Sequence, residues 1–299
     1  MIHIGNAPCS WGAFELNQGQ QPVPYPQVMD EMQATGYEGT DLGDWGYMPT
    51  DPTQLKEALN KRSLHLISAF VPVNFKEQSA LPEAEIRALK TARQLSAVEG
   101  NSAFLVLSDL NGHSPIRTLN AGRIRPEMGL LPFQWQTYAG GVEQIARIVK
   151  EETGIQTVFH HHCGGYVETK GEVGMLLDYT DPDLVGLCLD TGHYQFAGGD
   201  PLRLFRVFAD RVRLVHFKDC DPLLAARSRE EGWDYSESIR QGIFCELGQG
   251  DVDFPAVKVE LENIHYQGWI VVEQDQLPGS GTPLESARRN RDFIRSIGL

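Results

Sequence analysis

Gly186-Leu187-Cys188-Leu189-Asp190-Thr191-Gly192-His193, followed after a helical pattern by Val212-Arg213-Leu214-Val215-His216-Phe217-Lys218-Asp219, is the stretch that decides the fold. Each half is an apolar run that ends abruptly in ionisable residues. A strand that is apolar along its length and polar only at its C-terminal tip suits a parallel sheet covered by helices. When such a sheet closes on itself, the tips converge on one mouth, where chemistry sits. Side chains alternate along a strand, so Cys188 and Asp190 share one face, as do His216 and Lys218.

Working outward, residues 2–5, 39–43, 64–71, 103–107, 155–159, 184–189, 212–215 and 269–272 read as strands. Helical patterns fill 24–35, 52–62, 82–98, 133–152, 169–179, 201–208, 254–266 and 286–297. Asp51 before Pro52 and Asp200 before Pro201 are helix-start signatures. Two connections, 111–132 and 220–250, read as long loops over the mouth. No linker or low-complexity tract divides the chain. Eight alternating β and α units predict a single (β/α)8 TIM barrel domain over residues 1–299. A doubly wound sheet is the competing fold. It is weakened because the first βα turn lacks Gly-x-Gly-x-x-Gly and no phosphate-cradling Gly-Lys-Ser/Thr occurs.

Composition narrows the function. The chain has 299 residues, 41% of them hydrophobic, and a formal charge of -14. An acidic chain with no basic run is a poor binder of nucleic acid or an anionic membrane. No apolar run approaches the roughly 20 residues a membrane helix needs. Met1-Ile2-His3-Ile4-Gly5 reads as a first strand and carries no signal-peptide pattern. The five cysteines form no Cys-x-x-Cys pair and read as reduced thiols of a cytoplasmic protein.

Chemistry gathers at four strand ends: His160-His161-His162, Asp190 with His193, His216 with Lys218, and Glu273. Any one of these taken alone reads as a cap or a satisfied core group. Together, on separate strands of one barrel, they suit a divalent metal: Mn²⁺, Co²⁺, Zn²⁺ or Mg²⁺. His160 and His162 share one strand face. His193, in a turn that Gly192 permits, is placed to move a proton near neutral pH. Lys218 needs an acidic group or a substrate oxygen between it and a metal, or else pairs with Asp219 or Glu246. Glu168 reads either as a carboxylate at a helix start or as a mouth residue. Trp11, Trp45, Phe70, Trp135 and Trp233 fall in or near strand-end loops and would suit stacking on a sugar or polyol ring.

The most specific pieces are Asn6-Ala7-Pro8-Cys9-Ser10-Trp11-Gly12, Gly36-Tyr37-Glu38-Gly39-Thr40-Asp41-Leu42-Gly43 and His160-His161-His162 with Val167-Glu168-Thr169. Leu189-Asp190-Thr191-Gly192-His193, Ala197-Gly198-Gly199-Asp200, Val215-His216-Phe217-Lys218-Asp219 and Gly268-Trp269 to Glu273 complete the set. On these pieces the chain resembles, over nearly its full length, the xylose isomerase-like (sugar phosphate isomerase/epimerase) TIM barrel superfamily. Within it, the chain is most similar to the inosose dehydratases. The resemblance implies metal ligands at Asp190, His216 and Glu273. The superfamily's first ligand is a Glu where this sequence has His160, with His162 the next choice. Losing one carboxylate softens the ligand set and favours Mn²⁺ or Co²⁺.

The resemblance further implies a substrate-contacting pair, His193 and Lys218, which are expected to be catalytic; His162, Glu168 and Trp11 are expected on the substrate from their own positions near the mouth. The implied substrate is a cyclic polyol ketone, 2-keto-myo-inositol, which loses water to give a dione in inositol catabolism. Barrels of this type often form homo-oligomers, though no repeat or heptad pattern shows it here. Three other readings stand beside this one. An isomerase or epimerase would use the same enolate. A non-catalytic barrel would bind a polyol. A metal-dependent phosphodiesterase on DNA is opposed by the acidic charge.

Overall fold

The computed structural model describes residues 1–13, 22–275 and 282–299. Eight parallel strands close into a barrel in sequence order: Ile2–Asn6, Gly39–Asp41, His65–Val73, Phe104–Asp109, Gln156–His160, Val185–Asp190, Val212–Phe217 and Gly268–Val272. They are called the first to eighth barrel strands below. The doubly wound alternative is therefore ruled out. Ala7, Ile67, Val106, Val158, Cys188, Leu214 and Val271, one each from seven of the strands or their tips, pack together inside the barrel. Gly5 and Gly39 leave room for Ile67, whose Cδ1 would stand 2.1 Å from a Cβ on Gly5. This plug is a core, and the ionisable residues at the strand tips stand above it at the rim.

Helices cover the outside. Asp51 caps Pro52–Asn60 by accepting from the Gln54 N–H, and Asp200 caps Pro201–Val207 by accepting from Leu202 and Arg203. Leu81–Glu99 lays Ala84, Ala88, Ala92 and Leu95 against the sheet, the spacing of one helix face.

Two register shifts matter for the site. Asp41 pairs with Ser68 only because the ladder skips one residue after Thr40–Leu66. Asp190 pairs with His216 only because it skips one after Leu187–Val212. In-register partners on parallel strands point to the same face, so each shift decides which side chains meet.

Both long connections carry more structure than expected. Residues 111–132 hold a helix, Pro115–Leu119, and a 3-10 turn, Pro126–Met128. The 220–250 connection is pinned by a two-stranded antiparallel ribbon, Asp219–Cys220 with Phe244–Cys245, around helices Pro222–Glu231 and Tyr235–Arg240. The two excursions share a small core of their own, with Ala121, Cys163, Phe196, Tyr235, Ile239 and Phe244. Gly122, at φ +76°, is required there: a Cβ would lie 2.5 Å from the Phe196 ring. A third addition is the helix Thr191–Phe196, which starts directly at the tip of the sixth strand where a turn was expected.

Candidate active site

The strand tips bring His160, Asp190, His216 and Glu273 together, with one ligand atom from each within 4.8 Å of all the others. Asp190 serves two elements at once. Its Oδ1 accepts from the His193 N–H and caps the new helix. Its Oδ2 faces the cluster, 3.4 Å from His160 Nε2 and 3.8 Å from His216 Nδ1. Burial pushes the Asp190 carboxyl up, but the Lys218 ammonium and His160 outweigh it and hold it at about 2. Among the described residues neither ring nitrogen of buried His216 finds a well-aligned hydrogen-bond partner, although Nδ1 is 3.3 Å from Glu273 Oε2. A buried imidazole left so is costly. Two imidazoles and two carboxylates converging on one point, joined only by a long 3.4 Å contact between His160 Nε2 and Asp190 Oδ2, fit a divalent first-row cation. His162 is not part of this group.

Lys218 is only 1% exposed. Its Nζ stands 3.0 Å from Asp275 Oδ2, 3.1 Å from Glu273 Oε2 and 3.7 Å from Asp190 Oδ2. Burial lowers its pKa, but these three carboxylates outweigh burial and hold the ammonium well above its usual value. Glu273, itself one of the four, is thus the acidic group interposed between the lysine and His216. Asp219 does not pair with Lys218. Its carboxylate accepts from the backbone N–H groups of Cys220, Gly248, Gly250 and Val252 and closes the ribbon. Glu246 is held instead by Arg289. Gly192 matters for space: a Cβ there would lie 2.6 Å from Lys218 Cγ.

A cavity of about 730 Å³, counted to its open mouth, is lined by His160, His162, His216, Lys218, Glu273 and Asp275, and on its other walls by Cys9, Asp41, Phe70, Val106, Asn111 and Tyr235. His193 is not among the lining residues. Its Nε2 lies 3.2 Å from Lys218 Nζ and accepts from it. Burial first, then the positive charges around it, push His193 well below its usual pKa. His162 lies in front of it, the two rings 3.8 Å apart. The His162 Nδ1–H donates to Cys163 O at 2.8 Å, because that oxygen can only accept. Nε2 therefore carries the lone pair, 3.2 Å from the Tyr235 hydroxyl. Asn111 Nδ2 sits near both ring nitrogens, at 3.0 and 3.4 Å, over the ring.

Two residues expected on the substrate, Trp11 and Glu168, are not among those that line the cavity. Trp11 is buried and donates its indole N–H to Glu31 Oε2 at 2.6 Å, away from the cavity. Glu168 accepts from the N–H groups of Gly122 and Gly164 and staples the 111–132 connection to the segment after the fifth strand. Of the expected aromatic wall, only Phe70 lines the cavity. Trp135 packs in its helix's core, and Trp45 and Trp233 hold Lys90 and Arg227 over their rings. Asp41, Cys9, Asn111, Tyr235 and Asp275 had no assigned role in the sequence reading. Two-residue alternation from Glu273 would have found Asp275. Nothing local marks Tyr235, which arrives from the second excursion.

The family model described as xylose isomerase-like TIM barrel matches residues 29–297. The chain is 31% identical to the inosose dehydratase of Lacticaseibacillus casei over 98% of its own length and 96% of the relative's. It is 31% identical to the inosose dehydratase of Geobacillus kaustophilus (strain HTA426), covering 98% of this chain and 94% of that one. The crystal structure of D-allulose 3-epimerase from Methylomonas sp. superimposes with TM-score 0.71 at 15% identity, covering 99% of this chain and 98% of that chain. At that identity the likeness is one of fold.

Proposed function

Since the chain belongs to the xylose isomerase-like TIM barrel family and, with its relatives, to the inosose dehydratases among them, we propose that it removes water from 2-keto-myo-inositol to give a cyclic dione. The observation that carries this reading is the convergence of four ligand atoms within 4.8 Å beside a cavity that also exposes a neutral imidazole and a fixed ammonium. A divalent ion held by His160, Asp190, His216 and Glu273, with Mn²⁺ or Co²⁺ suiting the donors best, would supply Lewis-acid polarisation of a carbonyl oxygen.

The remaining work falls to the chain's own side chains. Elimination takes a proton from the carbon next to the ketone and expels a hydroxyl from the carbon beyond it. The proton needs an acceptor that faces the cavity. His162 Nε2 carries that lone pair, and the Nδ1–H bond to Cys163 fixes its tautomer. His193 holds the place the sequence reading gave it at the sixth strand tip, but its role here is to position Lys218 by accepting from Nζ. Lys218, kept protonated by three carboxylates, donates to a substrate oxygen and helps hydroxide depart as water. Phe70 and Val106 offer apolar wall to the ring's C–H face.

The test is to incubate the protein with 2-keto-myo-inositol and Mn²⁺ or Co²⁺, follow dione absorbance and weigh the product. A product lighter by one water supports the dehydratase. A product of unchanged mass points to an isomerase or epimerase, and substrate bound but unchanged points to a binding barrel.

A further inference from the structure

The second barrel strand ends in Asp41, a buried carboxylate that lines the cavity yet joins neither the four-residue cluster nor the partners of Lys218. In a closed eight-stranded ring in sequence order, the second strand lies across from the sixth. Asp41 therefore faces the mouth from the side opposite Asp190. Between them, the first, third and fourth strands and their tips contribute Ala7, Phe70 and Val106 to the lining. A ring held at its reacting edge by the cluster and Lys218 thus meets a mostly apolar wall with a carboxylate set into its far side.

That carboxylate is held rigidly. Its Oδ1 accepts from the Gly43 N–H at 2.7 Å and its Oδ2 from the Ser68 hydroxyl at 2.7 Å. The Ser68 bond exists because the register shift after Thr40 brings Ser68, instead of Ile67, opposite Asp41. Shifts of this kind re-aim side chains at functional rims. Among the described residues each oxygen accepts one bond, and a carboxylate oxygen accommodates two. The second acceptor position on each is a polar feature of the far wall, where Asp44, beyond the Gly43 turn, also lines the cavity.

We infer that Asp41 is the specificity-determining residue of this site, accepting a hydrogen bond from a ring hydroxyl remote from the reacting carbons. It therefore selects a polyhydroxylated ring over one deoxygenated at that position. A buried acceptor built to meet a hydroxyl penalises the analogue that lacks it, because the acceptor is then desolvated and unmet. This inference rests on the dehydratase reading for the identity of the ring.

The test offers 2-keto-myo-inositol and its mono-deoxy analogues to the wild type and to Asp41→Ala. Wild type is expected to reject one remote deoxy analogue by on the order of 100-fold in kcat/KM, the loss of one hydrogen bond to a charged group. Asp41→Ala should lose a similar factor on the parent ketone and treat that analogue and the parent alike. Ser68→Ala should give an intermediate loss. Wild type that turns over every remote deoxy analogue as well as the parent overturns the inference without any variant. So does a folded Asp41→Ala with parental kcat/KM. Calorimetric binding of the same panel to the wild type separates the two claims. Binding that falls for one remote deoxy analogue, with no loss of water from the parent, upholds Asp41 and sinks the dehydratase reading; a parent ketone that does not bind overturns both.

Discussion

Glu273 Oε2 stands between two nitrogens, 3.3 Å from His216 Nδ1 and 3.1 Å from Lys218 Nζ. One carboxylate oxygen thus borders the ligand cluster on one side and neutralises a buried ammonium on the other. The cost of a cation next to a metal site is offset by this interposed charge.

Lys218→Met tests that arrangement. It keeps the apolar stem but leaves Asp190, Glu273 and Asp275 facing one another without their cation. Removing one partner of a buried ion pair costs roughly 3–5 kcal/mol, and dehydratase activity should fall by three orders of magnitude or more. Urea denaturation and initial rates measure the two effects. Adding Asp275→Asn to Lys218→Met should recover part of the stability. A single variant as stable as the wild type would show that the lysine does not carry the three carboxylates.

Removal of divalent ions by a chelator should abolish activity and lower the melting temperature, and Mn²⁺ or Co²⁺ should restore both. A ligand at about a thousandfold excess over its Kd stabilises by roughly 4 kcal/mol. Asp190→Ala and His216→Ala should bind no metal when the loaded proteins are measured by elemental mass spectrometry. Full turnover with far less than one equivalent of metal would rule the cluster out as the functional ligand set.

Gly192→Ala should act through Lys218. A Cβ at 192 would come within 2.6 Å of Lys218 Cγ and 2.9 Å of its backbone carbon, so something must shift. Such overpacking costs about 1–3 kcal/mol, and the displaced Nζ should cost activity further. Gly171→Ala is the control. That glycine lies in the helix Lys170–Asp178, where an added methyl would meet nothing within 4 Å, and alanine should stabilise it by up to about 1 kcal/mol. Equal activity in the two variants would contradict a role for Gly192 in seating the lysine.

Glu168 supplies a pH dependence of stability. Burial outweighs its bonds from Gly164 and Gly122 and raises the carboxyl from 4.5 to about 7. The folded chain prefers the protonated form, so that contribution is fully present below pH 4.5 and is lost as pH rises through 7. Glu168→Gln cannot ionise. The stability difference between the two proteins should therefore move in the variant's favour between about pH 4 and about pH 8, by roughly 3 kcal/mol. Denaturation midpoints across that range check it, and a difference constant with pH would sink the assignment.

The strand tips are legible in the sequence because apolar runs stop at ionisable residues, and alternation says which of those share a face. That logic names His160, Asp190, His216, Lys218 and Glu273 before any coordinates exist. It does not show that Trp11 turns away from the cavity or which of its two readings Glu168 takes, because a residue near a tip is judged by position along the chain. The indole of Trp11 finds Glu31, and Glu168 finds the Gly122 and Gly164 amides, across contacts that periodicity does not encode. Tyr235 is invisible for the same reason, arriving from an excursion that reads as loop.

The sequence by itself determined the eightfold alternation, the closed barrel and the chemistry of the residues at its rim. Those follow from local periodicity and from which side chains tolerate burial. Only the tertiary structure decided that Asp190 and His216 meet, through a one-residue shift in the ladder between the sixth and seventh strands. It alone brought Ser68 to Asp41, turned His193 toward Lys218 and set His162 in front of it. Register and close approach are set by neighbours on other strands, and one residue of slip exchanges the buried face for the opposite one.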